Sequence, residues 1–300
     1  MKNIIVTGCA GFIGSHLCER LTNENLNIVG LDNLSNGKIS NLKKLTNCKN
    51  FDFIESDIND EFKMNQIFKK SDILFHLAAL ADIVPSIKNP DSYFSSNVLG
   101  TYNIMKLCKE HNLKKIIYAA SSSCYGIPKK YPTPENADIN PLYPYALTKR
   151  LGEEIVIHFG KLFNIPTVSL RFFNVFGPRA RTSGAYGAVF GVFLAQKLAN
   201  KPFTVVGDGE QTRDFTYIDD VVNALIEVMD QKIKNEIFNV GSGETYSVNH
   251  LIKLLGGGKK IYIPKRPGEP DCTYADITKI LEKTKWKPLI TFEKGIEKLL

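Results

Sequence analysis

Short apolar runs alternate along this chain with stretches of helical periodicity. Apolar positions three or four apart predict helices, as at Ile13, Leu17 and Leu21. Strands and helices in alternation predict an α/β fold with a doubly wound parallel sheet, in which ligands collect at the carboxyl ends of the strands. The predicted strands lie at residues 4–6, 27–31, 51–54, 73–77, 115–119 and 167–170.

A glycine-rich bend joins the first predicted strand to the first helix. Gly8 permits a tight turn, Gly11 lets the backbone approach a diphosphate, and Gly14 lets helix and strand pack closely, while the free amides of the helix favour an anion. The second strand ends at Asp32, where a carboxylate can accept hydrogen bonds from an adenosine ribose and would repel a 2′-phosphate. The pattern predicts NAD rather than NADP. The alternative is an unrelated α/β protein in which Asp32 caps a helix.

Asp57 and His76, in or after later predicted strands, each have a functional and a structural interpretation. Asp57 could bond the adenine, or it could cap the following helix. His76 lies inside an apolar run, and we expect a core histidine rather than a catalyst.

Tyr145 and Lys149 lie four positions apart in a helix predicted to open at Pro144, so they share a helix face. An ammonium group beside a phenol lowers a pKa that is ordinarily about 10, which a general base working near neutrality requires. An ordinary helix pair would have the same spacing. Three serines at 121–123 precede the pair at a predicted sheet end, and this favours catalysis.

These motifs occur in the order typical of extended short-chain dehydrogenase/reductases, and the chain resembles the nucleotide-sugar epimerases of that family from residue 3 to about 279. The resemblance implies a large NAD domain, residues 1–171, to which the chain returns around 215–240, and a smaller C-terminal α/β lobe, 172–300, that holds the nucleotide sugar. It also implies a homodimer formed through helices near 92–109 and 145–160. The motifs that carry the resemblance are residues 7–14, 76–79, 121–126, Tyr145 with Lys149, 171–178, 207–209, 213–215 and 266–269.

The resemblance also implies a role for each motif residue. Tyr145 would take a proton from a sugar hydroxyl while C4 gives its hydride to NAD, and Lys149 would hold the nicotinamide ribose. Ser121 and Ser123 are both candidates for the relaying hydroxyl, because residues two apart on an extended strand share a face. The implied cofactor set is Gly8, Gly11, Phe12, Ile13, Gly14, Asp32, Asn33, Asp57, Ile58, Leu77, Ala78, Ala79, Asn97, Phe173, Tyr145 and Lys149. The implied substrate set is Ser122, Asn174, Arg213, Arg266, Glu269 and Thr273.

Arg213 and Arg266 suit a pyrophosphate because guanidinium groups bind it through paired N–H bonds. Ordinary surface ion pairs are the alternative interpretation of both arginines.

The residues after the fifth strand indicate which reaction the resemblance implies. Dehydratases of the family carry Asp-Glu, and decarboxylases a Glu, where this chain has Ser122 and Ser123, and a serine hydroxyl is a poor acid or base at neutral pH. Cys124 stands next to the position of a catalytic cysteine in related enzymes, and we expect it to be structural. The implied reaction is 4-epimerisation of a UDP-hexose.

The size of one side chain points to the sugar. In the resembling 4-epimerases a bulky Tyr two residues before an Ala-Asp pair excludes N-acetyl groups, and here that residue is Thr273. UDP-N-acetylglucosamine and UDP-N-acetylgalactosamine are therefore the expected substrates, with UDP-glucose and UDP-galactose left open. A 4,6-dehydratase, a reductase and a non-catalytic NAD-sensing protein are the alternatives.

Composition and charge argue against nucleic-acid-binding, metal-binding and membrane proteins. The net charge of +7 arises from lysines scattered through predicted helices, which favours a solvated face over a nucleic-acid site. The six cysteines show no metal-ligand or paired spacing, so we expect reduced thiols in the cytoplasm and no metal site. No leader or membrane span is apparent, and no membrane partner is expected.

Overall fold

The computed structural model describes residues 2–24, 26–180, 189–229, 232–265 and 269–300. Its central element is a seven-stranded, all-parallel sheet in the order β11-β6-β5-β4-β1-β2-β3. The strands of the described chain are β1 (Lys2–Thr7), β2 (Leu26–Asp32), β3 (Phe51–Glu55), β4 (Ile73–His76), β5 (Lys115–Ser121), β6 (Thr167–Phe172), β7 (Asn174–Phe176), β8 (Phe203–Val206), β9 (Thr212–Arg213), β10 (Phe215–Tyr217), β11 (Glu236–Val240), β12 (Tyr246–Ser247), β13 (Lys260–Ile263) and β14 (Cys272–Thr273).

Helices cover both faces of the large sheet. The α-helices are α1 (Phe12–Thr22), α2 (Glu61–Phe68), α3 (Ile83–Lys88), α4 (Pro90–Tyr93), α5 (Gly100–Glu110), α6 (Pro144–Leu162), α7 (Val189–Leu198), α8 (Ile218–Glu227), α9 (Val248–Leu254), α10 (Thr278–Lys283) and α11 (Phe292–Glu297). Ile39–Leu45 and Ser122–Tyr125 form 3₁₀ helices, and Phe94–Leu99 is a π-helical segment between α4 and α5.

Alternate residues of the central strands enter two separate cores. Ile4 and Val6 of β1 pack in a core that includes residues of α1 and α8, whereas Ile5 packs with residues of α2, α5 and α6. A parallel sheet whose two faces are both buried requires apolar side chains at successive positions, which explains the continuous apolar runs of the sequence. The structure confirms the predicted doubly wound α/β fold.

The strand order reverses between β1 and β4. From β1 the chain builds outward through β2 and β3 on one side, and through β4, β5 and β6 on the other. Crossovers on opposite faces leave a crevice at the carboxyl ends of β1 and β4, the usual position of a ligand in such sheets. The fold therefore places the glycine-rich turn after β1 at this crevice.

The chain after β6 builds three small sheets and then rejoins the large one. The small sheets are β10-β7, β12-β9-β14 and β13-β8, and β11 pairs in parallel with β6. Aromatic side chains fill the C-terminal region, with the rings of Phe215 and Phe292 stacked at 4.6 Å. The domain limits 1–171 and 172–300 stay a prediction. Within the described ranges, no helix has both the length and the apolar character needed to cross a membrane.

Candidate active site

The glycine-rich turn can form only with glycine at two of its positions. Gly8 has a φ of +73°, and a Cβ there would lie 2.8 Å from the backbone nitrogen of Ala78 in the loop after β4. A Cβ on Gly14 would lie 2.1 Å from the carbonyl oxygen of Gly8. Helix α1 begins at Phe12 without a side-chain cap, so its first backbone amides have no partner within the helix. The turn therefore has the form of an anion cradle, and it fits the diphosphate of a dinucleotide.

The Asp32 carboxylate lies at the end of β2 beside this cradle. It accepts hydrogen bonds from the backbone nitrogens of Ala10 at 2.9 Å and Leu34 at 2.8 Å. A carboxylate offers about four acceptor positions, so capacity remains for the hydroxyl groups of a ribose. Burial raises the pKa of Asp32, while these two backbone bonds oppose the rise. Asp32 therefore fits the role that the sequence predicts for it.

A groove runs from the glycine-rich turn across the ends of β2, β3 and β4, and most of the predicted cofactor residues line it. Asn33 donates to the Asp57 carboxylate at 2.7 Å. Asp60, rather than Asp57, caps α2, so the structure does not support the capping interpretation of Asp57. The predicted residues that line the groove are Gly8, Gly11, Asp32, Asn33, Asp57, Ile58, Leu77, Ala78 and Ala79, and the sequence reasoning missed Leu31, Ser35, Asn36, Gly37, Ser56, Leu80 and Ser96.

Asn97, a predicted cofactor residue, does not line the groove. Its side-chain oxygen accepts from the Leu80 nitrogen at 2.7 Å, and its amide group donates to the Leu80 carbonyl at 2.9 Å. Asn97 is 1% exposed and holds the loop that forms one wall of the groove. The side chain of Phe12 also lies outside the groove lining and packs edge-on against His16.

A second cavity, of about 650 Å³, opens between the carboxyl ends of β5 and β6 and the C-terminal region. It brings together residues that are far apart in the sequence and that the sequence analysis assigned to catalysis or to substrate. The predicted residues in its lining are Ile13, Ser121, Ser122, Ser123, Tyr145, Phe173, Asn174, Arg213, Glu269 and Thr273. Asp82, Ile83 and Tyr143 also line the cavity and were not predicted.

Two serines and Tyr145 line the cavity at the end of β5. The Ser123 hydroxyl donates to the Ser121 oxygen at 2.9 Å, and the Ser121 hydroxyl acts to lower the pKa of the Tyr145 phenol. The expectation that Ser121 and Ser123 lie on one extended strand is wrong, because β5 ends at Ser121 and a 3₁₀ helix begins at Ser122. The turn still directs both serines into the cavity.

Cys124 in the same 3₁₀ helix is buried, and the pKa of its thiol is raised to about 12 by that burial. The thiol lies outside the cavity lining, in agreement with a structural role.

Lys149 lies one helical turn after Tyr145 and is 4% exposed. Its Nζ lies 4.4 Å from the centre of the Tyr118 ring. Burial lowers the pKa of Lys149 to about 7, while the Glu153 carboxylate acts in the opposite direction. The expected lowering of the Tyr145 pKa is not found: burial raises that pKa above its ordinary value, and the hydrogen bond from Ser121 offsets only part of the rise.

His76 is a hydrogen-bonded core residue. Its ring nitrogens lie 2.8 Å from the Thr7 hydroxyl and 3.0 Å from the Thr101 hydroxyl. Burial lowers its pKa to about 3, so the imidazole is neutral. These contacts agree with the expected structural role.

The far end of the cavity carries the residues assigned to the nucleotide. An Arg213 nitrogen lies 2.9 Å from one Glu269 oxygen, and the other Glu269 oxygen is buried without a hydrogen-bond partner among the described residues. The Asn174 amide donates to the Thr273 hydroxyl at 2.7 Å. An unsatisfied buried acceptor next to a guanidinium suits a ligand with hydroxyl donors and an anionic group. Arg266 lies outside the described residues.

The sheet, the crevice and the anion cradle define a dinucleotide-binding α/β protein. Residues 4–241 match the sequence model of the NAD dependent epimerase/dehydratase family. The chain therefore belongs to that family, and NAD is its cofactor, which confirms the family and the cofactor predicted from the sequence.

Three solved structures share the whole architecture. A UDP-glucose 4-epimerase from Thermotoga maritima with UDP-glucose is 34% identical, with a TM-score of 0.92 over 99% of this chain and 96% of its own. A UDP-N-acetylglucosamine 4-epimerase from Methanobrevibacter ruminantium with UDP-N-acetylmuramic acid gives the same identity, TM-score and coverage. A UDP-glucuronic acid 4-epimerase from Bacillus cereus with UDP-glucuronic acid and NAD is 35% identical, with a TM-score of 0.91 over 98% and 96%. The three similar proteins share one reaction and differ in the sugar.

Proposed function

We propose that the protein is an NAD-dependent UDP-hexose 4-epimerase that interconverts UDP-N-acetylglucosamine and UDP-N-acetylgalactosamine, with UDP-glucose and UDP-galactose as a second pair. The grouping of Ser121, Ser123 and Tyr145 at the end of β5 carries the proposal. It opens into the same cavity as the Arg213–Glu269 pair, which suits a nucleotide diphosphate. The similar structures with UDP-sugars support this assignment.

Each catalytic side chain has one task in this proposal. Tyr145 accepts the proton of the sugar 4-hydroxyl, and Ser121 donates a hydrogen bond to the same oxygen with Ser123 behind it. NAD held in the groove would supply hydride acceptance from C4 and hydride return to it, so the reaction would have no net oxidation. Lys149 binds the nicotinamide ribose, and Tyr145 then returns its proton to the oxygen.

The described residues of the serine turn carry no carboxyl group that could serve as the acid or base of an elimination. Ser122 and Ser123 line the cavity where a dehydratase would need carboxyl groups. A 4,6-dehydratase would accumulate a 4-keto-6-deoxy product, and a reductase would consume added NADPH. Neither outcome is expected here.

Thr273 supports the choice of the N-acetylated pair. Its hydroxyl accepts from Asn174, and its side chain lines the cavity as a small group. A tyrosine at this position would extend into the cavity and reduce the space for a substituent at the sugar C2.

The decisive experiment tests the purified protein on UDP-N-acetylglucosamine, UDP-glucose and UDP-glucuronate, with product stereochemistry read by NMR. We expect epimerisation of the N-acetylated substrate, and we expect Thr273→Tyr to lose it while the activity on UDP-glucose persists. Thr273→Ser, which keeps the hydroxyl, is the matched control. Activity on UDP-glucuronate alone, or on UDP-glucose alone, would refute the substrate assignment.

We also propose a cytoplasmic homodimer. Leu99, Tyr102 and Leu147 are 50%, 44% and 37% exposed on the segment before α5, on α5 and on α6, where the resemblance implies pairing with a second subunit. Light scattering that gives the mass of one chain at micromolar concentration would refute the dimer. All six cysteines are free thiols, in keeping with a reducing compartment.

A further inference from the structure

A buried ionic cluster joins the helix of Tyr145 and Lys149, α6, to strand β6. Glu153 of α6 is 1% exposed and Arg171 of β6 is 2% exposed. The guanidinium donates to both carboxylate oxygens, from Nε to Oε2 at 3.0 Å and Oε1 at 3.3 Å, and from Nη2 to Oε1 at 2.7 Å. Ser169 donates to Oε2 at 2.8 Å, and Arg150 pairs with Oε1 from the same helix. The Glu153 carboxylate is therefore fixed in position from three sides.

The cluster touches the catalytic elements at two points. Glu153 follows Lys149 by one helical turn, and its charge acts on that ammonium. Arg171 also donates from Nη1 to the Tyr125 hydroxyl at 2.8 Å. Tyr125 ends the 3₁₀ helix that begins with Ser122, so one arginine links the catalytic lysine helix to the serine turn.

The other described groups around Lys149 do not supply a negative charge. Tyr118 of β5 presents its ring, His76 of β4 is neutral, and Tyr145 of α6 is a protonated phenol. Burial lowers the pKa of Lys149, and Glu153 is the carboxylate that opposes this effect among the described residues. Tyr118 and Cys124 also face Glu153, and both remain protonated because burial raises their pKa.

Stability alone gives a weak reason for such a cluster. Desolvating two charges generally offsets most of their attraction, and apolar replacements of a buried ion pair are often equally stable.

We propose that Glu153, held by Arg171, is a positioning residue that keeps Lys149 charged and aligned with the serine turn. The inference rests on the proposed function because it assumes that charged Lys149 assists Tyr145. Glu153 itself bonds to β6 and is absent from the cavity lining.

The test compares Glu153→Gln with the double variant Glu153→Gln/Arg171→Met. Without the carboxylate, Lys149 loses its proton at lower pH, so the alkaline limb of the kcat profile is expected to move down by about one pH unit. The single variant leaves Arg171 buried without its partner, which is destabilising, whereas the double variant removes both charges. We expect the double variant to fold and to keep the shifted limb. A wild-type limb in the double variant would overturn the proposal.

Two further variants act as controls. Glu154→Gln removes a neighbouring carboxylate that is 53% exposed and also pairs with Arg150, and it should leave the limb unchanged. Glu153→Asp keeps the charge and should restore the wild-type limb even where kcat is reduced. If the double variant does not fold, the two single variants decide. The proposal is overturned if the alkaline limb of the kcat profile moves by the same amount in Glu153→Asp as in Glu153→Gln.

A second readout does not depend on activity. The ¹³Cε shift of Lys149 in lysine-labelled protein, assigned by its loss in Lys149→Arg, reports the pKa of the amine directly. We expect a lower pKa in the Glu153→Gln series even if the sugar assignment fails. An unchanged Lys149 titration with an active enzyme refutes the role of Glu153 alone, whereas a shifted titration without epimerase activity refutes only the proposed function.

Discussion

Replacing Tyr145 by Phe removes one hydroxyl group and leaves the ring in place. That hydroxyl interacts with the Ser121 side chain, and the loss of one polar contact of this kind costs about 1 kcal/mol of stability. The groove assigned to the dinucleotide lies along β1, β2, β3 and β4 and does not depend on this contact. We therefore expect normal folding and normal NAD content. Loss of the general base should lower kcat by about 10² to 10⁴, which corresponds to roughly 2.7 to 5.4 kcal/mol in the activation barrier.

Tyr143→Phe is the matched control for this variant. Tyr143 lines the same cavity, and burial raises the pKa of its phenol to about 12, but it lacks the four-residue spacing to Lys149. The assay follows epimerisation by coupled enzymes or by NMR, and the cofactor released on denaturation is quantified for both variants. Turnover of Tyr145→Phe at the wild-type rate would refute the assignment. So would a large loss in Tyr143→Phe with none in Tyr145→Phe.

Two further predictions concern the cofactor turn and stability. Gly8→Ala should abolish NAD retention because its Cβ would lie 2.8 Å from the Ala78 backbone nitrogen, whereas Gly257→Ala, with φ of +69° and no atom within 4 Å of the new Cβ, should retain NAD. Equal cofactor content in the two variants would contradict the steric reasoning. Burial raises the pKa of Asp214 from 3.8 to about 6. Between these two pH values the carboxyl group is protonated in the folded state and ionised in the unfolded state. The free energy of unfolding should fall by roughly 3 kcal/mol as the pH rises from about 4 to above 6. Urea titrations at a series of pH values should show this fall in the free energy of unfolding for the wild type and not for Asp214→Asn. An equal fall in both proteins would mean that other groups cause it.

The parts of the site that the sequence predicted are local in the chain. The glycine turn, Asp32 and the Tyr145–Lys149 pair each depend on spacing within one strand–turn–helix unit, and spacing is visible in the sequence. The sheet then brings these units together, because parallel strands end at one edge. This combination explains why most of the predicted cofactor residues do line the groove.

The parts that the sequence missed depend on contacts between distant segments. Asp82 follows β4, yet it faces a cavity whose opposite wall comes from residues after position 188. Asn97 was assigned to the cofactor, but the fold turns its amide onto Leu80 of the preceding loop. No local pattern distinguishes a side chain that touches a ligand from one that holds the loop beside it.

The sign of the Tyr145 pKa shift shows a second limit of spacing arguments. The four-residue spacing predicts a shared helix face, but the pKa depends equally on how much water the fold excludes. Burial acts on both partners in the direction of the uncharged form, raising the pKa of the Tyr145 phenol and lowering that of Lys149 to about 7. An uncharged pair is the less costly state in a desolvated pocket. The phenolate required of a general base is therefore favoured only where added positive charge offsets burial. Lys149 supplies that positive charge when it is protonated, and the Glu153 carboxylate opposes the loss of its proton. Catalysis by Tyr145 therefore depends on bound cofactor and substrate and on Glu153.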